Sequence, residues 1–548
     1  MTENSVSRLD PITFQVQWSR LISIMEEVDV ALVRTSFSTI VGETRDFAVV
    51  MLDRNAYSIA QSEMSSPAFT CSLPAATRTI LKIFPAETLQ PGDVLITNDP
   101  WLCHGHLPDF YIILPVFADG ELCAYIATAA HVSDVGGRLD EFDARDVYEE
   151  GLRIPPSKLY SAGQRNEQLF GIMEANIRYP RQVLGDVEAI VGASRLGAQR
   201  YLALFQDYGK AALDLLADNI LQRSSEAMAD AIRNIPDGTY SHEVHGDGYK
   251  QPVHIKVAIQ VEGDRIAFDY TGSSPQRSDA SINCVLNVTQ AHSIYAVKCS
   301  LAPEIPNNEG LFSPISVHAP EGSILNARFP AAVKARSKTS FYLHNAIYGA
   351  LVDVLPTKVQ AASGSFFSIK CYGVDKDGER FAVHMLPSGG RGAVNGMDGS
   401  ATTPFPTNGM LTPVEVIENR APMLILERSL RDGSGGRGRF RGGLGQTLRF
   451  APLGDQTLTM TFRPDKVVYP AEGLAGGCSG MAGAVLLNGA PIEPNLVNLG
   501  PGSELTVKLP GGGGYGDPAR RDPELERQHR QLGFVTDAIL PAAAEGSV

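Results

Sequence analysis

Apolar side chains at Phe14, Trp18, Leu21, Met25, Val28 and Leu32 follow a 4-3-4-3-4 spacing. That spacing lines one face of a helix, so a helix is predicted over residues 14–32. The stretch Val41 to Ser66 shows no sustained period and reads as polar and irregular. After the turn at Pro91-Gly92, Asp93 to Thr97 is a short strand. Phe110–Phe117 and Leu122–Ala130 are β-branched or aromatic runs on either side of Ala118-Asp119-Gly120-Glu121. Asp-Gly between two such runs is a strong short-range hairpin signal. Residues 185–234 carry the helical period, and Pro236-Asp237-Gly238 stops it. Strands at 240–248, 253–261 and 265–270, with a turn at Glu262-Gly263-Asp264, precede a helix at 287–300 and a Pro-rich loop from Pro303 to Pro314.

From residue 385 the pattern changes. Residues 432–516 hold 21 of the chain's 53 glycines, which predicts short strands and loops with backbone lying against backbone. The fold class expected is α+β: an α-rich N-terminal half carrying the hairpin, and a β- and loop-rich, glycine-rich C-terminal half. The divisions expected are 1–235, helical and mixed; 236–385, an α/β middle region; 386–518, the glycine-rich region; and 519–548, a polar helix and a loose tail.

Composition narrows the function classes. With 47 Lys+Arg and 61 Asp+Glu the net charge is −14, which argues against a nucleic-acid partner. The longest apolar runs, such as Tyr111 to Ala118, fall far short of the roughly 20 residues that span a bilayer. The N-terminus lacks the apolar core of a signal peptide. Seven cysteines without a CxxC pair read as reduced thiols, so a cytoplasmic location is expected. There is no P-loop signature, no G-x-S-x-G and no H-E-x-x-H. Gly433 to Gly438 fits G-x-G-x-x-G literally, but Arg439-Phe440-Arg441-Gly442-Gly443 does not open a helix. Arg431, Arg437, Arg439 and Arg441 there could touch a phosphate or an acid of another subunit; solvated turn arginines are the alternative.

The chemistry concentrates in Asn98-Asp99-Pro100-Trp101-Leu102-Cys103-His104-Gly105-His106-Leu107-Pro108-Asp109 and in Ala130-His131-Val132-Ser133-Asp134-Val135-Gly136-Gly137. A turn at Asp119-Gly120 places His131 opposite Pro108, beside Asp109 and within reach of His106. Two imidazoles and a carboxylate at the open end of one hairpin are a donor set for a divalent metal. Such an ion polarises a carbonyl or lowers the pKa of water to about 7. Hydrogen-bonded histidines at a strand end are the alternative. Asp99, His104 and Asp134 are candidates for orienting the ligands. A second cluster, Ser36 to Phe47, holds Glu43 and Asp46, which could cap a helix, pair with Arg45 or point into a site.

Several separated motifs occur together in one order. They are Ser38 through Asp46-Phe47, Asn98-Asp99-Pro100 through His106 and Asp109, and His131 with Asp134-Val135-Gly136. Asn176-Ile177-Arg178-Tyr179-Pro180, Gly185-Asp186, Ile235 to Tyr240 and Asp269 to Ser273 follow, then Arg441 to Gly445 and Pro510 to Pro518. Over residues 10–518 the chain thereby resembles the B-subunit family of N-methylhydantoinase, 5-oxoprolinase and acetone carboxylase. The resemblance implies a partner ATPase subunit of the hydantoinase A type, with an actin/sugar-kinase fold that holds ATP-Mg, assembled as an (AB)2 heterotetramer. It implies that the partner phosphorylates a carbonyl oxygen of the substrate, and that His106, Asp109 and His131 hold a divalent Zn, Mn or Fe. The activity implied is ATP-dependent hydrolysis of a cyclic amide such as a hydantoin, 5-oxoproline or another lactam. Asp99, Asp134 and Glu43, in that order, are the expected general bases. A ketone carboxylase subunit and a non-catalytic scaffold of the ATPase are the other readings. Three departures from the family pattern stand out. Cys103-His104-Gly105 replaces an expected Gly-Gly-Thr or Gly-Gly-Ser, making His104 a candidate extra ligand or substrate contact. Arg391 replaces a small residue and is a candidate contact to substrate or partner. Asp432 lies one place early in its loop.

Overall fold

The computed structural model describes residues 8–374, 378–493 and 495–535. Helix α1 (Pro11–Thr35) starts where Asp10 accepts hydrogen bonds from the N–H groups of Ile12 and Thr13, with Pro11 in the first turn. It buries the predicted stripe, from Phe14 to Leu32. A short helix α2 (Thr39–Gly42) follows. The segment expected to be irregular then forms strands β1 (Phe47–Asp53) and β2 (Ser58–Gln61). All seven residues of β1 are buried, so no in/out alternation marked it. Helix α3 (Pro67–Ile80), strand β3 (Val94–Thr97) and the hairpin β4 (Asp109–Ala118) and β5 (Glu121–His131) come next. With β6 (Ser157–Ser161) and β7 (Gln164–Arg165) these strands make one seven-stranded sheet, ordered β2-β1-β5-β4-β3-β6-β7. The N-terminal half therefore carries the largest sheet as well as the long helices.

Helices α4 (Glu167–Asn176), α5 (Pro180–Tyr208) and α6 (Lys210–Arg233) complete that half. Helices α1 and α5 cover one sheet face, where Phe47, Val49, Phe110, Ile112 and Ile126 join one apolar core. Helix α3 covers the other, where Ala48, Val50, Tyr111, Ile113, Ala127 and Ala129 meet Phe69, Leu73, Ala76 and Ile80. Asp46, Asp109 and His131 share the parity of this second set, so they belong to the α3 face.

The middle of the chain is a four-stranded sheet of β8 (Gly238–Tyr249), β9 (Gln251–Glu262), β10 (Arg265–Asp269) and, after helix α7 (Leu286–Leu301), β11 (Ile315–His318). The expected Pro-rich loop contains one 3-10 turn, Glu309–Phe312. Helices α8 (Ser337–Ser340) and α9 (Tyr342–Leu351) pack against this sheet. Beyond them lie β12 (Ser368–Val374), β13 (Arg380–Met385), α10 (Val414–Arg420), β14 (Met423–Leu430), β15 (Gln446–Pro452), β16 (Leu458–Arg463), β17 (Ala484–Leu487), β18 (Ala490–Pro491), β19 (Leu496–Leu499) and β20 (Leu505–Lys508). They form two sheets, β13-β12-β16-β19 and β14-β15-β20-β17-β18, around one apolar core. Helix α11 (Pro523–Gln531) is the polar helix expected there; the tail from 536 to 548 lies outside the described residues.

The glycine-rich segments interleave as extended backbone. Gly443 N–H donates to Arg391 C=O and Gly512 N–H to Gly443 C=O. A Cβ on Gly512 would stand 2.2 Å from the carbonyl oxygen of Arg391, so no larger residue fits. Arg431 and Arg441 donate to the carbonyls of Ala482, Leu509 and Gly442, bracing this lattice instead of facing an anion. Among the described residues no helix is long and apolar enough to cross a membrane.

Candidate metal centre

The β4–β5 hairpin turns at Asp119-Gly120, both with positive φ, as the Asp-Gly signal predicts. Its register corrects the sequence expectation by one residue. Ala118 pairs with Glu121 and Phe117 with Leu122, but a bulge shifts the ladder so that Val116 pairs with Ala124. The shift carries through to the open end, where His131 stands directly opposite Asp109, not Pro108. On the other side, Phe47 of β1 pairs with Ala130, and His131 N–H donates to the Asp46 carbonyl. Asp46, His131 and Asp109 thus form one row across three strands.

His106 reaches the row from the loop before β4. Its Nε2 lies 2.8 Å from Asp109 Oδ1, and His131 Nδ1 lies 3.0 Å from the same oxygen. Asp109 Oδ2 accepts a 2.7 Å bond from Arg336. All four side chains are buried. Burial pushes the carboxyl of Asp109 up, but the contacts with His106, Arg336 and His131 outweigh it and hold the group well below the usual carboxylate range. Burial, reinforced by Arg336, pushes His106 down to about 3, so its ring is neutral.

A cation fits this donor set. His106 Nδ1 lies 3.0 Å from the Lys334 carbonyl, which can only accept, so the ring proton sits on Nδ1. The Nε2 lone pair therefore faces a carboxylate oxygen, and two acceptors 2.8 Å apart repel unless a positive centre lies between or beside them. His131 Nε2 is buried with no hydrogen-bond partner. One ligand atom from each of His106, Asp109 and His131 lies within 4.8 Å of the others, and among the described residues these three form the cluster with metal-ligand geometry. The Lys334 carbonyl and Arg336 supply the outer contacts that fix a ligand's tautomer and orientation.

His106 and His131 line a cavity with about 60 Å³ of room for water-sized molecules. Asp46, His104, His106, His131, His292 and His384 line one part, and Phe69, Phe341, Phe366 and Leu386 another. The His131 and His384 rings lie 5.4 Å apart, and those of His104 and His292 5.8 Å apart. Behind them His292 Nδ1 meets His344 Nε2 at 3.0 Å. Burial lowers His104, His292 and His384 well below the ordinary histidine value and His344 to about 3.

The sequence candidates separate into two groups. His104 lines the cavity, with Nδ1 buried and unpartnered and its ring edge-on to Phe69. The three proposed bases do not line it. Asp99 caps the loop through Trp101 N–H and faces Arg153 at 3.8 Å. Asp134 accepts from Gly136 N–H, Arg178 N–H and the Arg178 guanidinium, which together occupy both its oxygens. Glu43 closes α2. Arg391 donates to Gln360 Oε1 at 3.0 Å inside the glycine lattice, away from the cavity. Arg45 pairs with the buried Asp29, leaving Asp46 as the carboxylate of that cluster that enters the lining. Burial raises Asp46, while the nearby His131 partly offsets the rise.

Sequence reasoning missed His292, Arg336, His384 and Arg463, which reach the cavity from distant segments. The one local signal was Lys334-Ala335-Arg336-Ser337-Lys338, a basic run that folds buried.

Residues 10–518 match the Hydantoinase B/oxoprolinase family. A protein of Pseudomonas sp. (strain NS671), described as the B-type component of a D-/L-hydantoinase, is 32% identical over 97% of this chain and 94% of its own length. The crystal structure of the ATP-dependent caprolactamase from Pseudomonas jessenii superposes with a TM-score of 0.89 at 27% identity, covering 97% of this chain and 95% of that one. A nucleotide-free acetone carboxylase structure shares the fold, with a TM-score of 0.88 at 17% identity over 96% of this chain and 78% of that one. A match along nearly the whole chain, with relatives above 30% identity, places the protein in the hydantoinase B/oxoprolinase family.

Proposed function

We propose that this chain is the metal-bearing subunit of an ATP-dependent cyclic-amide hydrolase, opening a hydantoin, 5-oxoproline or other lactam. Its partner is an ATPase subunit of the hydantoinase A type, with an actin/sugar-kinase fold, in an (AB)2 assembly. The partner phosphorylates the amide oxygen, and this chain hydrolyses the activated product. The observation that carries the reading is the convergence of His106, Asp109 and His131 on one buried point beside a cavity. Family membership and the names of the relatives, which describe one component of a larger enzyme, support the division of labour.

An unstrained amide resists water because resonance stabilises its carbonyl. Phosphorylation of the oxygen removes that resonance, so water adds to the carbon; the ring C–N bond then breaks, the nitrogen leaving as a protonated amine, and the acyl phosphate that remains is hydrolysed to carboxylate and phosphate. A divalent cation held by His106, Asp109 and His131 would supply Lewis-acid polarisation of the reacting oxygens. The protein's own side chains do the rest. Asp46 takes the proton of the attacking water; a carboxylate raised by burial is the better base near neutral pH. Neutral His104 and His384 offer ring N–H groups to the substrate without adding charge. Phe69, Phe341 and Phe366 pack on the ring and exclude bulk water.

The test is reconstitution with the partner and assay of hydantoin, 5-oxoproline and caprolactam with ATP. Ring opening by wild type, abolished in His131→Ala while ATP cleavage persists, is expected. Turnover that requires bicarbonate, or full ring opening by His131→Ala, would overturn the reading.

A further inference from the structure

Two buried guanidiniums line the cavity wall beside the triad. Arg336 and Arg463 line it, together with Ser337 and Ser340. Arg463 donates to Glu141 Oε2 at 2.6 Å through Nη2 and to Ser337 Oγ at 3.1 Å through Nη1. Lys370 lies 3.3 Å from Glu141 Oε1. Lys334 Nζ donates to the carbonyls of Arg138 and Asp140 at 2.7 and 2.8 Å. Lys334, Arg336, Lys370 and Arg463 are all buried. Asp109 pairs with Arg336, and Glu141 pairs with Lys370 and Arg463. Glu150 Oε1 accepts from the N–H groups of Val333 and Lys334. The cavity lining itself holds two guanidiniums, Arg336 and Arg463, against one carboxylate, Asp46. Arg336 Nε is also buried without a partner. The N-terminus of the 14-residue helix α3 opens on the same cavity through Ser66, Ala68 and Phe69, and Ser66 makes no side-chain capping bond.

We infer that this wall is an oxyanion subsite that receives a phosphoryl group attached to the substrate, held by Arg336 and Arg463 with the hydroxyls of Ser337 and Ser340. Two guanidiniums and two hydroxyls arrayed around one space suit a group with three equivalent oxygens better than a planar carboxylate. Gly105 lets Arg336 pack in place: its φ is +79°, and a Cβ there would lie 2.5 Å from Val288 Cγ2 and 3.0 Å from Arg336 Cδ, pushing that guanidinium out of place. The subsite lies next to the triad, since Arg336 bonds both walls together through Asp109. Phosphoryl anchoring would thus place the activated carbon beside His106 and His131. The inference rests on the proposed function for the origin of the phosphoryl group; the anion site itself rests on the residues named above.

The experiment is calorimetric titration of inorganic phosphate, and separately of methyl phosphate, into the full chain after chelator treatment. Wild type is expected to bind one of either ligand per chain, in competition. The Arg463→Lys variant keeps the charge against Glu141 but loses the fork, and the Ser337→Ala/Ser340→Ala variant removes only hydroxyls. Each should weaken both ligands tenfold or more with the thermal midpoint retained. No saturable binding by wild type, or undiminished affinity in both variants, would overturn the inference. Binding of inorganic phosphate alone, with methyl phosphate rejected, would also overturn it by making the site one for free phosphate. The titration needs neither metal nor partner, so its failure and a failure of ring opening are read separately.

Discussion

Arg336 and Asp109 are 227 residues apart in sequence, yet the guanidinium donates to Asp109 Oδ2 at 2.7 Å with both side chains buried. This bond occupies one carboxylate oxygen and turns the other toward His106 and His131. It ties the β4–β5 hairpin to the segment that also carries the Lys334 carbonyl.

Removing one partner of such a pair leaves a buried charge uncompensated. Asp109→Asn should cost about 3–5 kcal/mol of unfolding free energy. The double variant Asp109→Asn/Arg336→Gln should recover part of that loss while still failing to bind metal. Denaturant unfolding with elemental analysis checks both; full stability in Asp109→Asn would refute the role given to the pair.

Asp46 stands beside His131 in the cavity lining, whereas Asp99 and Asp134 are spent on loop and ion-pair bonds. Asp46→Asn should lower kcat by roughly 10²–10⁴ with metal content retained. Asp99→Asn should stay within about tenfold of wild type, because it touches no reacting group. Equal losses in the two variants would remove Asp46 from its assigned role.

Five histidines, at 104, 106, 292, 344 and 384, are held neutral by burial, with values below the ordinary one. Unfolded, each protonates near pH 6.5. The unfolded state therefore binds more protons below that pH, and stability falls as pH drops through 6.5 toward 5. Each histidine contributes about 1.4 kcal/mol per pH unit once its unfolded form is protonated. Glu150 acts in the opposite direction: its folded value of about 8 exceeds the unfolded one, so its contribution is lost as pH rises from about 4.5 toward 8. Unfolding calorimetry at pH 5 in buffers of different ionisation enthalpy should show uptake of several protons per chain. Net proton release would contradict the neutral-histidine site.

Gly105→Ala should destabilise the fold by about 1–3 kcal/mol, since its φ of +79° and the nearby Val288 and Arg336 side chains leave no place for a Cβ. Thermal unfolding checks this, and a midpoint equal to wild type would show that the loop relaxes freely.

The sequence made the local parts legible. The 4-3-4-3-4 stripe of α1 and the Asp-Gly hairpin are properties of neighbouring residues, and both are seen in the structure. The exact pairing of His131 was not legible, because a bulge between Val116 and Phe117 leaves no mark in composition. Strand β1 escaped because burial on both faces erases the period of two. His106, Asp109 and His131 could be found because they lie within 26 residues of one another. His292, Arg336, His384 and Arg463 come from other sheets and helices, and only tertiary packing brings them to the cavity. Asp99, Asp134 and Glu43 looked like bases by nearness in sequence, but their carboxylates serve turns and ion pairs or lie outside the lining.

The central claim is that His106, Asp109 and His131 hold a divalent cation. Elemental mass spectrometry of the chain purified without added metal, as wild type and as His106→Ala, tests it most directly. The predicted result is about one Zn, Mn or Fe per chain, lost in the variant with the fold retained. Wild type that stays free of metal after incubation with each of these ions would contradict it.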